Sequence, residues 1–222
     1  MPEPPVAVLA DQALYEHLVD AILARQLLPG ERLSEASLVL AFGVSRTTVR
    51  KVLHRLEAED VLDIRPNCGA SVASTPPTVA LEYLAARRVL EGELAERAST
   101  RAGAADIRRL RAIHARERRA LSSGERGSAL RYATDLHFAI AQCAGNAPLA
   151  EAARRVICRN QLIVAQYAAD APDAGCACAD HAAVIDAIAG GDPVVARTTM
   201  VDHLDGLARQ LVLSLNDSEV PA

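Results

Sequence analysis

Apolar positions recur along most of this chain at spacings of three and four, the period of helices packed on one face. Near the start, Leu14, Leu18 and Ile22, with Val19 beside them, predict a helix over about Asp11–Gln26, and Leu28-Pro29-Gly30 then breaks the chain. Ser34 is placed to cap a second, short helix with Leu38 and Phe42 on its buried side, and Gly43 ends it. Ser45 caps a third, from Arg46 to about Glu59, striped by Val49, Leu53 and Leu56. Two β-compatible runs follow, Val61–Arg65 and Ala70–Ala73. The turn-forming Pro66-Asn67-Cys68-Gly69 joins them into a hairpin.

Ser74-Thr75-Pro76-Pro77 reads as a linker, and everything beyond it is helical. The expected helices are Thr78–Arg101, Ala104–Ser122, Ser128–Ala144, Pro148–Ala169, Ala179–Ala189 and Pro193–Leu215. Ser122-Ser123-Gly124, Gly145-Asn146 and Gly190-Gly191 punctuate them. The fold expected is mainly α: an N-terminal winged helix-turn-helix with a small β-hairpin over 8–74, a linker at 75–77, and a C-terminal antiparallel all-helical bundle over 78–216.

Composition narrows the setting. The chain has 222 residues, half of them apolar, enough for two modest cores. No run approaches the ~18 consecutive apolar residues of a membrane span, and the first residues lack the pattern of a secretory signal. The five cysteines are odd in number and scattered, as expected of reduced thiols in a cytoplasmic protein. A net charge of -4 argues against a uniformly basic nucleic-acid binder, but an acidic sensing half can coexist with one basic helix.

The third helix is that basic element. It carries Arg46, Arg50, Lys51, His54 and Arg55 before its first acid, Glu57. After a helix and a glycine turn it sits where a recognition helix enters the major groove. Arg46 and Arg50 can hold guanine edges with paired hydrogen bonds, each worth about 1–3 kcal/mol of base discrimination. Ser45, Thr47, Thr48 and Lys51 suit phosphate contacts, and the hairpin around Asn67 and Gly69 would be the wing. A solvated basic face alone would explain the cations, but not the order of three helices, turn and hairpin.

Leu28-Pro29-Gly30-Glu31-Arg32-Leu33-Ser34-Glu35, Phe42-Gly43-Val44-Ser45-Arg46-Thr47-Thr48-Val49-Arg50 and Arg65-Pro66-Asn67-x-Gly69-Ala70-x-Val72 together resemble the signature of the GntR family of regulators. The resemblance implies a homodimer on a short palindromic operator in double-stranded DNA, with Arg32 among the DNA contacts. Many members carry proline where Thr48 stands and glutamate where Lys51 stands. These departures bear on base preference and local charge rather than on fold.

In the second half, His137, His181 and His203 each lie on the apolar stripe of a different predicted helix. A buried imidazole needs a hydrogen-bond partner or a metal. Three on helices that must pack together suit a divalent ion such as zinc or nickel, although satisfied core histidines remain an alternative.

Leu136-His137-x-x-Ile140-Ala141, Asp180-His181-x-x-x-Ile185 and Ala189-Gly190-Gly191-Asp192 through His203-Leu204 are similar to the FCD ligand-binding domain of the FadR subfamily. The resemblance implies a metal site of three histidines and an aspartate one turn before the first. That position is Ala133 here, and Asp135 lies about 200° around the helix from His137. A three-histidine site completed by water or an effector oxygen is therefore expected. Cys176-Ala177-Cys178 is either a plain helix-start pair or a soft ligand source. Arg87 and Glu91 alone would be a surface i, i+4 ion pair. In the FCD family the arginine at the Arg87 position grips an effector carboxylate, a role suited to a bidentate guanidinium. Arg159, Asn160 and Gln161 are further pocket candidates whose facing helical phase does not decide.

The function expected is operator binding controlled by a small carboxylic acid, with no enzymatic step and no membrane partner. The rival is a metal-dependent hydrolase fused to a DNA-binding head, weakened because no carboxylate has general-base spacing beside the histidines.

Overall fold

The computed structural model describes residues 6–65, 68–167 and 178–218. The element order is α1 (Val6–Leu23), β1 (Arg32–Leu33), α2 (Glu35–Phe42), α3 (Arg46–Ala58), β2 (Leu62–Arg65), β3 (Gly69–Val72), α4 (Pro77–Arg101), α5 (Ala104–Ser122), α6 (Arg126–Cys143), α7 (Ala147–Tyr167), α8 (Cys178–Gly190) and α9 (Pro193–Ser218).

The head is built by its caps. Ser45 sits in extended conformation before α3, and its hydroxyl accepts from the Thr48 amide at 3.1 Å. Such a cap is worth about 1 kcal/mol. Ser34 caps α2 in the same way, and Gly43 ends it with φ +63°, a left-handed conformation that other residues adopt only with strain. Val49, Val52, Leu53 and Leu56 turn one stripe of α3 onto Leu14, Leu18 and Ile22 of α1. All seven are buried, Val49, Leu14 and Leu56 completely.

The wing is larger than expected. Arg32 and Leu33 pair with Ser71 and Ala70, so the sheet has three antiparallel strands in the order β1-β3-β2. The hairpin itself aligns Leu62 with Val72 and Arg65 with Gly69. The first helix also begins earlier, at Val6, which leaves Asp11 inside the helix rather than at its start.

The second core gathers Leu84, Leu110, Leu136, Ile140, Ile163, Val184, Ile185, Ile188, Met200 and Leu204 from α4 to α9. Here α4 lies along α9, α5 along α6 and α8 along α9. The head packs on α6 and α7, with Cys158 and Leu162 of α7 joining its apolar cluster. Gly127 makes the approach of α1 to α6 close: a Cβ there would lie 2.7 Å from the Asp20 carbonyl oxygen. Among the described residues no helix is long and apolar enough to cross a membrane.

Candidate DNA-reading face and histidine site

On α3 the residues opposite the buried stripe are exposed: Arg46, Thr47, Arg50, Lys51, His54 and Arg55. Arg46 and Thr47 stand in the first turn. Arg50 leans on Glu35 of α2, Nε to Oε2 at 3.0 Å, and Lys51 on Asp11 of α1 at 2.5 Å. Both are surface pairs worth at most about 1 kcal/mol, weak enough for a phosphate to displace. Ser45 and Thr48 are tied into the cap, their hydroxyls 3.0 Å apart, and Thr48 is half-buried. Arg55 turns away from this face. Its guanidinium stacks 3.6 Å over the Tyr15 ring and lies 3.5 Å from Glu59. Arg32 is exposed on β1, and Gly69 is exposed at the start of β3. Asn67, expected at the wing tip, lies outside the described residues.

Across the molecule, His137 of α6, His181 of α8 and His203 of α9 converge. All three are at least nine-tenths buried, and their ring centroids lie 5.2, 5.3 and 4.6 Å apart. One nitrogen from each falls within 4.8 Å of the other two. Nε2 of His181 and both nitrogens of His203 are buried without a hydrogen-bond partner. Satisfied core histidines would not leave them so. Three imidazoles converging on one point, two of them with orphaned nitrogens, fit a divalent cation, whose bonds to histidine run about 2.0–2.1 Å, after a small closing of the rings.

The family models decide what this architecture is. Residues 10–72 match the bacterial regulatory proteins of the gntR family, and residues 82–206 match the FCD domain. The chain belongs to the FCD family and carries a GntR head.

Two curated relatives are 31% identical: the Uxu operon regulator of Haemophilus influenzae, over 53% of this chain and 48% of its own length, and the Uxu operon transcriptional regulator of Escherichia coli, over 61% and 59%. The chain thus spans about half the length of the curated relatives it matches. Among solved structures, E. coli McbR/YncC superposes with a TM-score of 0.77 at 17% identity, covering 96% of this chain and all of the other. A GntR-type transcriptional regulator from Rhodococcus sp. RHA1 gives 0.68 at 22% identity, covering 91% and 97%. At these identities the likeness is one of fold.

Set in the FCD frame, Ala133 borders the histidine cavity one turn before His137, so the usual aspartate's place is filled by a methyl group. Asp135 faces elsewhere. It lines a cavity of about 170 Å³ between the head and the bundle, shared with Tyr15, Arg55, Arg131 and Arg154, and burial raises its carboxyl above the usual range. Cys176 lies outside the described residues, as does the side chain of Cys178.

The Arg87–Glu91 pair is not a surface pair. Both side chains are 3% exposed, because α4 runs through the middle of the bundle rather than along its rim. Arg87 Nε meets Glu91 Oε1 at 2.5 Å, and its Nη1 donates to Asn160 Oδ1 at 2.5 Å. Burial works to raise the Glu91 carboxyl, but Arg87 and then His137 outweigh it and hold it at about 2. Burial lowers His137 and His203, which makes them neutral donors suited to a metal. Arg87 borders the histidine cavity, but that cavity is only about 10 Å³, room for roughly one water or ion.

The three pocket candidates on α7 separate. Asn160 and Gln161 are buried on the site's side, while Arg159 reaches the head, donating to the Asp60 and Ser74 carbonyls at 2.7 and 3.2 Å. Two carboxylates stand against the histidines: Glu91, read from the sequence only as a partner of Arg87, and Glu117, which the sequence did not single out. Glu91 Oε2 lies 2.5 Å from His137 Nδ1 in an ion-pair contact that lacks hydrogen-bond angles. Glu117 of α5, fully buried, bonds His181 Nδ1 at 2.9 Å and His114 at 3.3 Å. Neither borders the cavity. A general base would have to, so the hydrolase alternative gains no support.

Proposed function

We propose that this chain is a cytoplasmic transcription regulator, most simply a repressor, whose homodimer binds a palindromic operator and is controlled by a small carboxylic acid. Arg46, Thr47, Arg50 and Lys51 would meet DNA in the major groove. Ser45 and Thr48 would hold the first turn of α3 against phosphate, and Arg32, Asn67 and Gly69 would lie beside the backbone. His137, His181 and His203 would hold a divalent ion, zinc or nickel, and Arg87 would take the effector carboxylate. The bound ion would supply a Lewis-acidic anchor for an effector oxygen. This chain's own residues would orient that effector and exclude water from it.

One observation carries this reading: two of the helices that line the histidine site, α6 and α7, are those that hold the head. α6 gives His137 to the site and Arg131 to Asp20 of α1, at 2.7 Å. α7 gives Asn160 to Arg87 and sets Arg154 on Glu59 and Arg155 on Asp60, at 3.0 and 3.2 Å. An effector that needs more room than a single water must move these helices. It would then prefer one head position over another, the condition for control.

The test is binding of the full chain to duplexes from its own promoter region across a salt series, with and without a panel of carboxylic acids. A specific duplex should be found whose affinity falls steeply with salt, drops in Arg46→Ala and Arg50→Ala, and changes with one of the acids. Salt-sensitive binding with no sequence preference counts against the reading.

A further inference from the structure

We propose that Glu117 fixes which nitrogen His181 presents to the ion, and that, with Glu91 and Asp180 nearby, it forms an outer ring of carboxylates behind the three histidines that carries the negative charge missing at Ala133. The inference rests on the metal reading of the histidine site and adds to it three residues from three other positions in the fold.

A carboxylate stands on the Nδ1 side of each imidazole, but only His181 is hydrogen-bonded to its own. Nδ1 of His181 sits 2.9 Å from both Glu117 oxygens. Nδ1 of His137 sits 2.5 Å from Glu91 Oε2, and Nδ1 of His203 sits 3.9 Å from Asp180 Oδ2. Three helices, α5, α4 and α8, supply one carboxylate each, always on the Nδ1 side. A neutral imidazole with its proton on Nδ1 has its only lone pair on Nε2. Nε2 of His181 is buried and without a partner, the atom from which it would meet an ion. A carboxylate behind a ligating histidine also strengthens it as a donor, because charge on the far side of the ring raises its basicity.

Glu117 is the clearest member. It is fully buried, yet its His181 bond spans two helices and 64 residues of sequence. Glu91 is shared with Arg87, and Asp180 is half-exposed and more distant. Glu117 is thus a positioning residue: it stands behind His181 on the Nδ1 side and does not line the histidine cavity.

Cobalt(II) titration of the full chain, purified without a histidine tag and stripped with chelator, tests the proposal alongside 15N imidazole NMR of the metal-free protein. Wild type should bind one cobalt per protomer, with His181 held as its Nδ1-protonated tautomer. Glu117→Gln should weaken cobalt about 10- to 100-fold and shift the cobalt absorption bands, with the metal-free fold kept by circular dichroism. Cobalt affinity within threefold of wild type overturns the inference alone. So does a wild-type His181 carrying its proton on Nε2, a result available even if the variant does not fold. Wild-type protein that binds no cobalt overturns the metal reading and the inference together.

Discussion

Arg159 and Asn160 are consecutive on α7 and serve two different sites: Arg159 donates to the Asp60 carbonyl of the head at 2.7 Å, and Asn160 accepts from Arg87 beside the histidines at 2.5 Å. Neighbours on a helix lie about 100° apart, so one rigid element can hold both ends. A ligand that takes Arg87 away from Asn160 therefore acts on the helix that also carries the head. Arg159→Met is expected to leave effector affinity within threefold of wild type. It should reduce the effector-induced change in operator affinity, ordinarily about 5–150-fold in such systems, to near unity. Thermal shift reads the first quantity and operator titration the second. An undiminished change would place the coupling elsewhere.

Much of the fold is legible in the sequence because punctuation and period agree. Gly145-Asn146 and Gly190-Gly191 separate helices whose observed bounds differ from expectation by a few residues at most, and Ser34, Gly43 and Ser45 act as the caps their positions suggest. β1 is not legible: two residues, Arg32 and Leu33, are too short to show alternation, and they become a strand only because β3 offers an edge. The histidines are legible as three apolar stripes. Glu117 is not, since its meaning depends on which helix α5 meets, and periodicity gives a face without naming the neighbour. Arg87 and Glu91 show the same limit: i, i+4 spacing is identical for an exposed pair and for one at the centre of a bundle.

That burial changes what removal of Arg87 does. Arg87→Ala should abolish the effector response, and it also strands the Glu91 carboxylate in the core. Breaking a buried pair costs about 3–5 kcal/mol, so the single variant will be much less stable in urea. The double variant Arg87→Met, Glu91→Met removes both charges and should recover most of that loss without recovering the response. Recovery of the response in the double variant would take Arg87 out of effector recognition.

The head-to-bundle joint has its own pH signature. Tyr15 donates to Glu59 at 2.5 Å, and Arg154 bonds the same carboxylate at 3.0 Å. Burial and then the Glu59 charge push the Tyr15 phenol well above its usual value of 10. A raised acid favours the protonated form in the folded state. Its contribution is therefore complete below about pH 10 and is lost as the pH rises beyond it, because unfolded chains then lose a proton that the native one keeps. Of the four tyrosines, Tyr15 should give no phenolate absorbance step near pH 10 while the protein is folded. The native titration curves of wild type and Tyr15→Phe should coincide there, although the variant is less stable by about 1.5–3 kcal/mol. A missing step in the variant would mean that the hydroxyl is wet and the joint open.

Ala133 offers the reverse experiment, rebuilding rather than removing a ligand. It is 4% exposed and borders the same small cavity as Arg87 and the three histidines. Ala133→Asp would set a carboxylate among the three imidazoles. Without metal, that charge is buried in a space of about 10 Å³ with Arg87 already engaged, so the stripped variant should melt below wild type. With metal, the carboxylate gains a direct cation partner. Zinc affinity should then rise at least tenfold, and manganese, a harder ion that disfavours an all-imidazole set, should bind where wild type takes little. The two effects have opposite signs in one protein, which separates a ligand from a merely disruptive substitution. Zinc binding unchanged beside a lowered melting temperature would mean that residue 133 points past the ion, and the site would then have to be completed from another side.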